Sequence, residues 1–76
     1  MFKVREDMEY GQSLTPKPGR AILVESDHVL TIRPICMAPG AGAEVMFVGG
    51  GCLMVCESLE QIAEMYESAR RRDRAK

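Results

Sequence analysis

Three cysteines and one histidine are the residues of this chain best suited to hold a metal ion. Cys36, Cys52, Cys56 and His28 supply the thiol and imidazole ligands that zinc prefers. Cys52 and Cys56 fall on one face of a predicted strand, where the four residue steps from one to the other span about 13 Å. Sulfur atoms that share one zinc ion lie about 2.3 Å from the metal. We therefore predict no metal and no cofactor, with the cysteines as free thiols.

Nucleophilic catalysis is the next chemistry that these residue types suggest. A serine or cysteine nucleophile needs a base and a third group that orients the base. His28 is the single histidine, and its neighbours Ser26 and Asp27 are adjacent in sequence, which is typical of a turn. The triplet Gly49-Gly50-Gly51 is not followed by the Lys-Ser/Thr pair of a phosphate-binding loop. We predict that the chain has no catalytic residues and is not an enzyme.

A basic cluster at residues 70–76 could contact phosphate groups. Guanidinium groups bind phosphate through paired hydrogen bonds. Acidic residues on the same predicted helix, a formal net charge of -1 and the scattered aromatic residues weaken this interpretation. A nucleic-acid-binding regulator, with Arg20 and Arg33 as further contacts, remains the alternative function. Its phosphate contacts would include Arg70, Arg71, Arg72 and Arg74.

The sequence patterns around these side chains predict the strands and the helix of a small α+β fold. Two apolar runs flank the glycine triplet, so residues 44–56 predict a β-hairpin. Ser58 and Gln61 match a capping box, which predicts a helix over 58–71. Two further β-rich runs, 21–24 and 28–33, precede the hairpin. We expect an antiparallel sheet of three to four strands with one C-terminal helix.

Residues 1–18 predict an N-terminal arm, and residues 19–76 predict a single small domain. The two prolines and the glycine in the stretch from Thr15 to Gly19 predict a break with no regular element. Phe2 and Val4 are expected to add a short edge strand or to dock on a neighbouring subunit, with disorder as the alternative. From the charged first residues and the lack of a long apolar run, we predict no signal peptide, no membrane span and a cytoplasmic location.

The predicted hairpin is apolar on both faces. Because strand side chains alternate, Val45, Phe47, Leu53 and Val55 share one face. Met46, Val48, Met54 and the two hairpin cysteines, Cys52 and Cys56, share the other. One helix covers one face, and 76 residues lie near the lower limit for a stable single core. We predict a non-catalytic interaction or regulatory module, a homo-oligomer with a dimer favoured, or a chain bound to another protein. The predicted interface residues are Met46, Val48, Met54, Cys56, Phe2 and Val4.

Two segments carry a resemblance to known small proteins: His28-Val29-x-x-Ile32-Arg33-Pro34 and Glu44-Val45-x-Phe47-Val48-Gly49-Gly50-Gly51-x-Leu53-x-Val55-x-Glu57-Ser58-Leu59-Glu60-Gln61-Ile62. In this layout residues 19–72 resemble the flagellar FlbD/SwrD-type proteins and uncharacterised phage or prophage proteins. The matching positions are turn, core and cap residues, so the resemblance implies no catalytic group. It suggests a further alternative, a phage-encoded inhibitor of a host defence or transcription complex.

Overall fold

The protein is an α+β domain with five strands and one helix, in a computed structural model that describes residues 1–12, 15–36 and 41–74. The strands form one antiparallel sheet in the order β2-β1-β5-β4-β3. The predicted class is confirmed, but three to four strands was too few. The elements are β1 (Phe2–Asp7), β2 (Pro18–Val24), a 3-10 turn (Ser26–His28), β3 (Val29–Pro34), β4 (Ala43–Phe47), β5 (Cys52–Val55) and α1 (Leu59–Arg74).

The additional strand is β1, which lies in the segment predicted to be an arm. Its side chains alternate as in a half-buried strand: Phe2 and Val4 are 5% and 1% exposed, while Lys3 and Arg5 face solvent. β1 pairs with β2 on one side and with β5, at Glu6, on the other. β1 therefore lies between β2 and β5, but β5, about fifty residues away in sequence, is a neighbour only at the Glu6 end of β1.

The hairpin and the helix form where local signals place them. All three turn glycines have positive φ, from 91° to 100°. Ser58 donates its N–H to Gln61 Oε1 at 2.9 Å, and the Gln61 N–H donates to Ser58 Oγ at 3.3 Å, which is the predicted capping box. α1 continues three residues beyond the predicted end at 71, where basic side chains suit the negative end of the helix dipole.

One apolar core joins the sheet to the helix. α1 contacts β1, the 3-10 turn and β3, and it buries Ile62 and Ala69 completely. The Phe2 and Tyr66 rings meet edge to face, with centroids 6.4 Å apart. The buried apolar side chains of this cluster are Phe2, Val4, Val24, Ala43, Val45, Val55, Ile62 and Ala69.

Candidate interaction surface

The helix covers the first of the two hairpin faces. Val45 and Val55 are fully buried in the core, and Phe47 and Leu53 pack against it. The strand register places Val45 opposite Leu53 and Ala43 opposite Val55, so these side chains share the covered face. The other face of β3, β4 and β5 is therefore the candidate interaction surface.

Two cross-strand rows make up this second face. One row runs Thr31–Met46–Cys52, and the other runs Arg33–Glu44–Met54. Arg33 and Glu44 form an ion pair, and hydrogen bonding to the carboxylate raises the pKa of Arg33. The row that contains the Arg33–Glu44 ion pair is thus polar at β3 and β4, whereas the row that contains Met46 is mainly apolar.

The Met54 end of the second face is partly covered by the chain itself. Residues 8–12 follow β1, and a Cβ built on Gly11 would lie 3.5 Å from the Met54 sulfur and 3.4 Å from the Ile35 side chain. Tyr10 and Gly11, with φ of 54° and 79°, turn the chain over this position. Met54, predicted as an interface residue, is consequently half-buried under its own loop.

A buried carboxylate holds this loop in place. Asp7 is fully buried, and its Oδ1 accepts the N–H groups of Glu9 at 3.0 Å and Lys17 at 3.1 Å. Its Oδ2 accepts the N–H of Gly11 at 3.0 Å. Burial raises the pKa of Asp7, whereas the three hydrogen bonds lower it. The hydrogen bonds together have the larger effect, so the pKa lies below its ordinary value.

The depressed pKa of Asp7 predicts a pH dependence of stability. A group with a lowered folded-state pKa stabilises the fold above its unfolded pKa, about 3.9 for aspartate, and this stabilisation is lost as pH falls through the folded pKa. Below about pH 4, the free energy of unfolding should decrease more steeply in the wild type than in Asp7→Asn. Urea titrations at a series of acidic pH values measure both slopes, and equal slopes would contradict the prediction.

The opposite end of the second face, next to the glycine turn, carries two exposed large apolar side chains. Leu30 and Val48 are 62% and 61% exposed. Leu30 is the extra residue of a β-bulge, because the register passes from Val29↔Phe47 to Thr31↔Met46. Met46 is half-buried and Cys52 is exposed beside it. We call Leu30, Met46, Val48 and Cys52 the turn-end patch.

The predicted interface residues are thus divided among different environments. Met46 and Val48 lie in the turn-end patch, whereas Phe2 and Val4 lie in the core and are not available to a partner. Their prediction as contacts followed from reading β1 as an arm. Cys56 is half-buried, and its thiol donates to the Glu6 carbonyl at 3.4 Å.

Sequence reasoning missed Leu30 and Asp7. Regular alternation cannot predict a bulge, since the extra residue depends on the register with β4. Asp7 stood in a charged stretch with no sign of burial, and the only local signal was the Tyr10-Gly11 pair, which favours a turn within reach of its side chain.

The predicted phosphate contacts are not brought together. Arg70 donates to the Tyr66 hydroxyl at 2.7 Å, and Arg71 lies 3.6 Å from Glu67. Arg72 donates to the Met1 carbonyl at 3.5 Å. Because successive helix residues are rotated by about 100°, these three side chains leave α1 in different directions. Arg20 and Arg33 lie on opposite edge strands, and the Arg74 side chain lies outside the described residues.

The thiols and the imidazole are also dispersed. Cys52 is exposed and Cys36 and Cys56 are half-buried, and His28 is exposed in the 3-10 turn. Among the described side chains, no three of the His, Cys, Asp and Glu type lie close enough to hold a metal ion. Burial, aided by the charges of Asp7 and Glu57, raises the pKa of Cys56 and so favours the thiol over the nucleophilic thiolate.

Comparison with protein-family models, curated proteins and solved structures finds no match to this chain. The resemblance of residues 19–72 to flagellar and phage proteins therefore stays a prediction. Within the described ranges, no helix is long and apolar enough to span a membrane.

Proposed function

We propose that this chain is a non-catalytic protein-interaction module that self-associates through the turn-end patch. The observation that carries this proposal is the grouping of Leu30 and Val48, both more than 60% exposed, around the half-buried Met46. α1 packs on the other face, and Gly11 lies beside Met54 at the other end of this face. Single exposed apolar residues are ordinary, but a cluster on one surface is typical of an interface.

A second copy of this chain suits the patch as its partner. A two-fold axis places the same surface on both subunits, so an apolar patch can pack against itself. Edge-to-edge pairing through β3 is disfavoured, because the bulge at Leu30 and the proline at position 34 interrupt that edge. Packing of face on face is therefore the geometry that we propose, with a dimer as the simplest closed assembly.

The alternative functions have less support. Among the described arginines, Arg33, Arg70 and Arg71 are already paired with Glu44, Tyr66 and Glu67, which weakens a joint phosphate site. An inhibitor of a host complex would use the same patch against a different protein. Capture of one host protein by a chain that stays monomeric would favour that alternative over self-association.

Charged residues in the turn-end patch should disperse the oligomer. The double substitution Leu30→Asp and Val48→Asp places carboxylates where an interface would remove them from water, which is strongly unfavourable. By size-exclusion chromatography with light scattering, we expect the wild type to have the mass of a dimer and the double variant that of a monomer, with unchanged far-UV circular dichroism.

The matched control for this experiment is Leu23→Asp. Leu23 is 65% exposed but lies on β2, at the far edge of the sheet from β3. This variant should keep the dimer mass. A double variant that retains the mass of the wild type would contradict the assignment of the interface to the turn-end patch.

A further inference from the structure

A groove opens where β5 ends beside β1. β5 stops at Val55 and pairs with β1 only through Glu6, so the first half of β1 has a neighbouring strand, β2, on one side only. The groove lies along the side of β1 that faces away from β2 and has a volume of about 920 Å³. It is lined by the first residues of β1, by one flank of α1 and by Leu23 of β2. This volume falls in the range of about 300–1,000 Å³ of ligand sites.

The backbone of Lys3 faces this groove. The Arg5 N–H donates to both carboxylate oxygens of Glu57 at 3.1 Å, and the Arg5 carbonyl accepts the Cys56 N–H at 2.9 Å. Both backbone groups of Arg5 therefore point away from β2. Residues two apart on a strand present their backbone groups to the same side. Within the described part of the chain, no hydrogen bond reaches the Lys3 backbone from the groove.

Side chains close the two ends of this open edge. The Glu57 carboxylate takes the place of a neighbouring strand's carbonyl at Arg5, and Arg72 takes the place of an N–H donor at the Met1 carbonyl. Between them, Lys3 presents one N–H and one C=O, the pair of groups that a single residue of an added antiparallel strand would satisfy. The edge therefore suits a short extended segment rather than a long strand.

The groove also carries opposite charges at its two ends. Glu57 and Glu64 lie toward the start of α1, whereas Arg72 lies about 12 Å further along the helix from Glu64, near Met1. Leu23, 65% exposed, and the half-buried Met65 give the groove an apolar lining between these charges. A chain that runs antiparallel to β1 enters at the Glu57 end and leaves at the Arg72 end.

We propose that this groove binds a short extended peptide segment of another protein, antiparallel to β1, with a basic residue near its amino end and an acidic residue near its carboxyl end. The basic residue meets Glu64, the central backbone pairs with Lys3, and the acidic residue meets Arg72. Peptides that add to an open strand edge take affinity from the backbone and specificity from side-chain contacts. This site is separate from the turn-end patch and does not depend on the proposed self-association.

Two blocked pentapeptides of identical composition test the proposal: Lys-Val-Thr-Val-Glu and its charge-reversed form Glu-Val-Thr-Val-Lys. In titrations followed by ¹⁵N–¹H correlation spectra, we expect the first to shift the Lys3 amide and to bind at least about fivefold more tightly than the second. Glu64→Lys should abolish that preference. Glu60→Lys, at an exposed helix position outside the groove, is the matched control and should retain it.

Three results would overturn the proposal. Equal affinity for the two peptides would show that the charges at the ends of the groove do not select the peptide. An unshifted Lys3 amide signal in the folded protein would show that the peptide does not bind at this strand edge. A shift of the Lys3 amide on raising the protein concentration without peptide would show that a second copy, rather than a peptide, occupies the groove.

Discussion

Replacing Asp7 with alanine should lower the free energy of unfolding by about 3 kcal/mol or more, because three backbone N–H groups lose their acceptor. Those groups belong to Glu9, Gly11 and Lys17, which shape the connection between β1 and β2. A domain of this length has a total stability of about 4 to 11 kcal/mol, so the loss is a large fraction of it. Urea denaturation followed by circular dichroism measures the change.

Two further variants separate the role of the carboxylate from that of its charge. Asp7→Asn keeps the shape and one acceptor oxygen but turns an amide N–H₂ toward one of the three donors. The decrease in the free energy of unfolding should therefore be smaller for Asp7→Asn than for Asp7→Ala. Asp27→Ala removes an exposed aspartate from the 3-10 turn and should change the free energy of unfolding by less than about 0.5 kcal/mol. An Asp7→Ala protein as stable as Asp27→Ala would contradict the proposed role of Asp7.

Replacing Gly42 with alanine should destabilise the protein at least as much as Asp7→Ala does. We expect the free energy of unfolding to decrease by about 3 kcal/mol or more. An added Cβ would lie closer than 3.0 Å to the carbonyl oxygen of Val55, and also 3.4 Å from Pro16. Val55 is paired with Ala43, the residue next to Gly42, so its backbone cannot move without disturbing the β4–β5 ladder. The expected result is a much lower urea midpoint or no folded protein.

Gly19→Ala is the matched control for the Gly42 variant. A Cβ at Gly19 would meet the Met8 side chain, with 2.5 Å to its sulfur and 2.8 Å to its Cγ, and would lie 3.2 Å from the Glu6 carbonyl oxygen. Because a flexible methionine can adopt another rotamer, the loss should stay below about 1 kcal/mol. Equal urea midpoints for the two variants would show that the close approach at Gly42 does not limit stability.

Local signals predicted the hairpin and the helix well, since each is specified by neighbouring residues. The glycine triplet adopts positive φ, and Ser58 and Gln61 form the cap that their spacing indicates. Pro18 shows the limit of such signals. The proline predicts a break, yet it begins β2, because the first residue of an edge strand tolerates a proline.

Long-range pairing accounts for most of what the sequence did not reveal. The place of β1 depends on β5, and the exposure of Leu30 depends on a bulge opposite β4. The predicted division of the β4 and β5 side chains between two faces agrees with the strand register, but the prediction did not foresee that Gly11 would lie beside Met54. The chain thus covers one end of its second face, and the surface left for a partner is smaller than the hairpin pattern alone indicates.

Sedimentation equilibrium of the wild-type protein, from low to high micromolar concentration, tests the proposed self-association most directly. If the turn-end patch packs against its copy, the weight-average mass should rise with concentration toward twice the 8.4 kDa of one chain. A mass that stays at one chain throughout this range, in a folded sample, would contradict self-association through the turn-end patch.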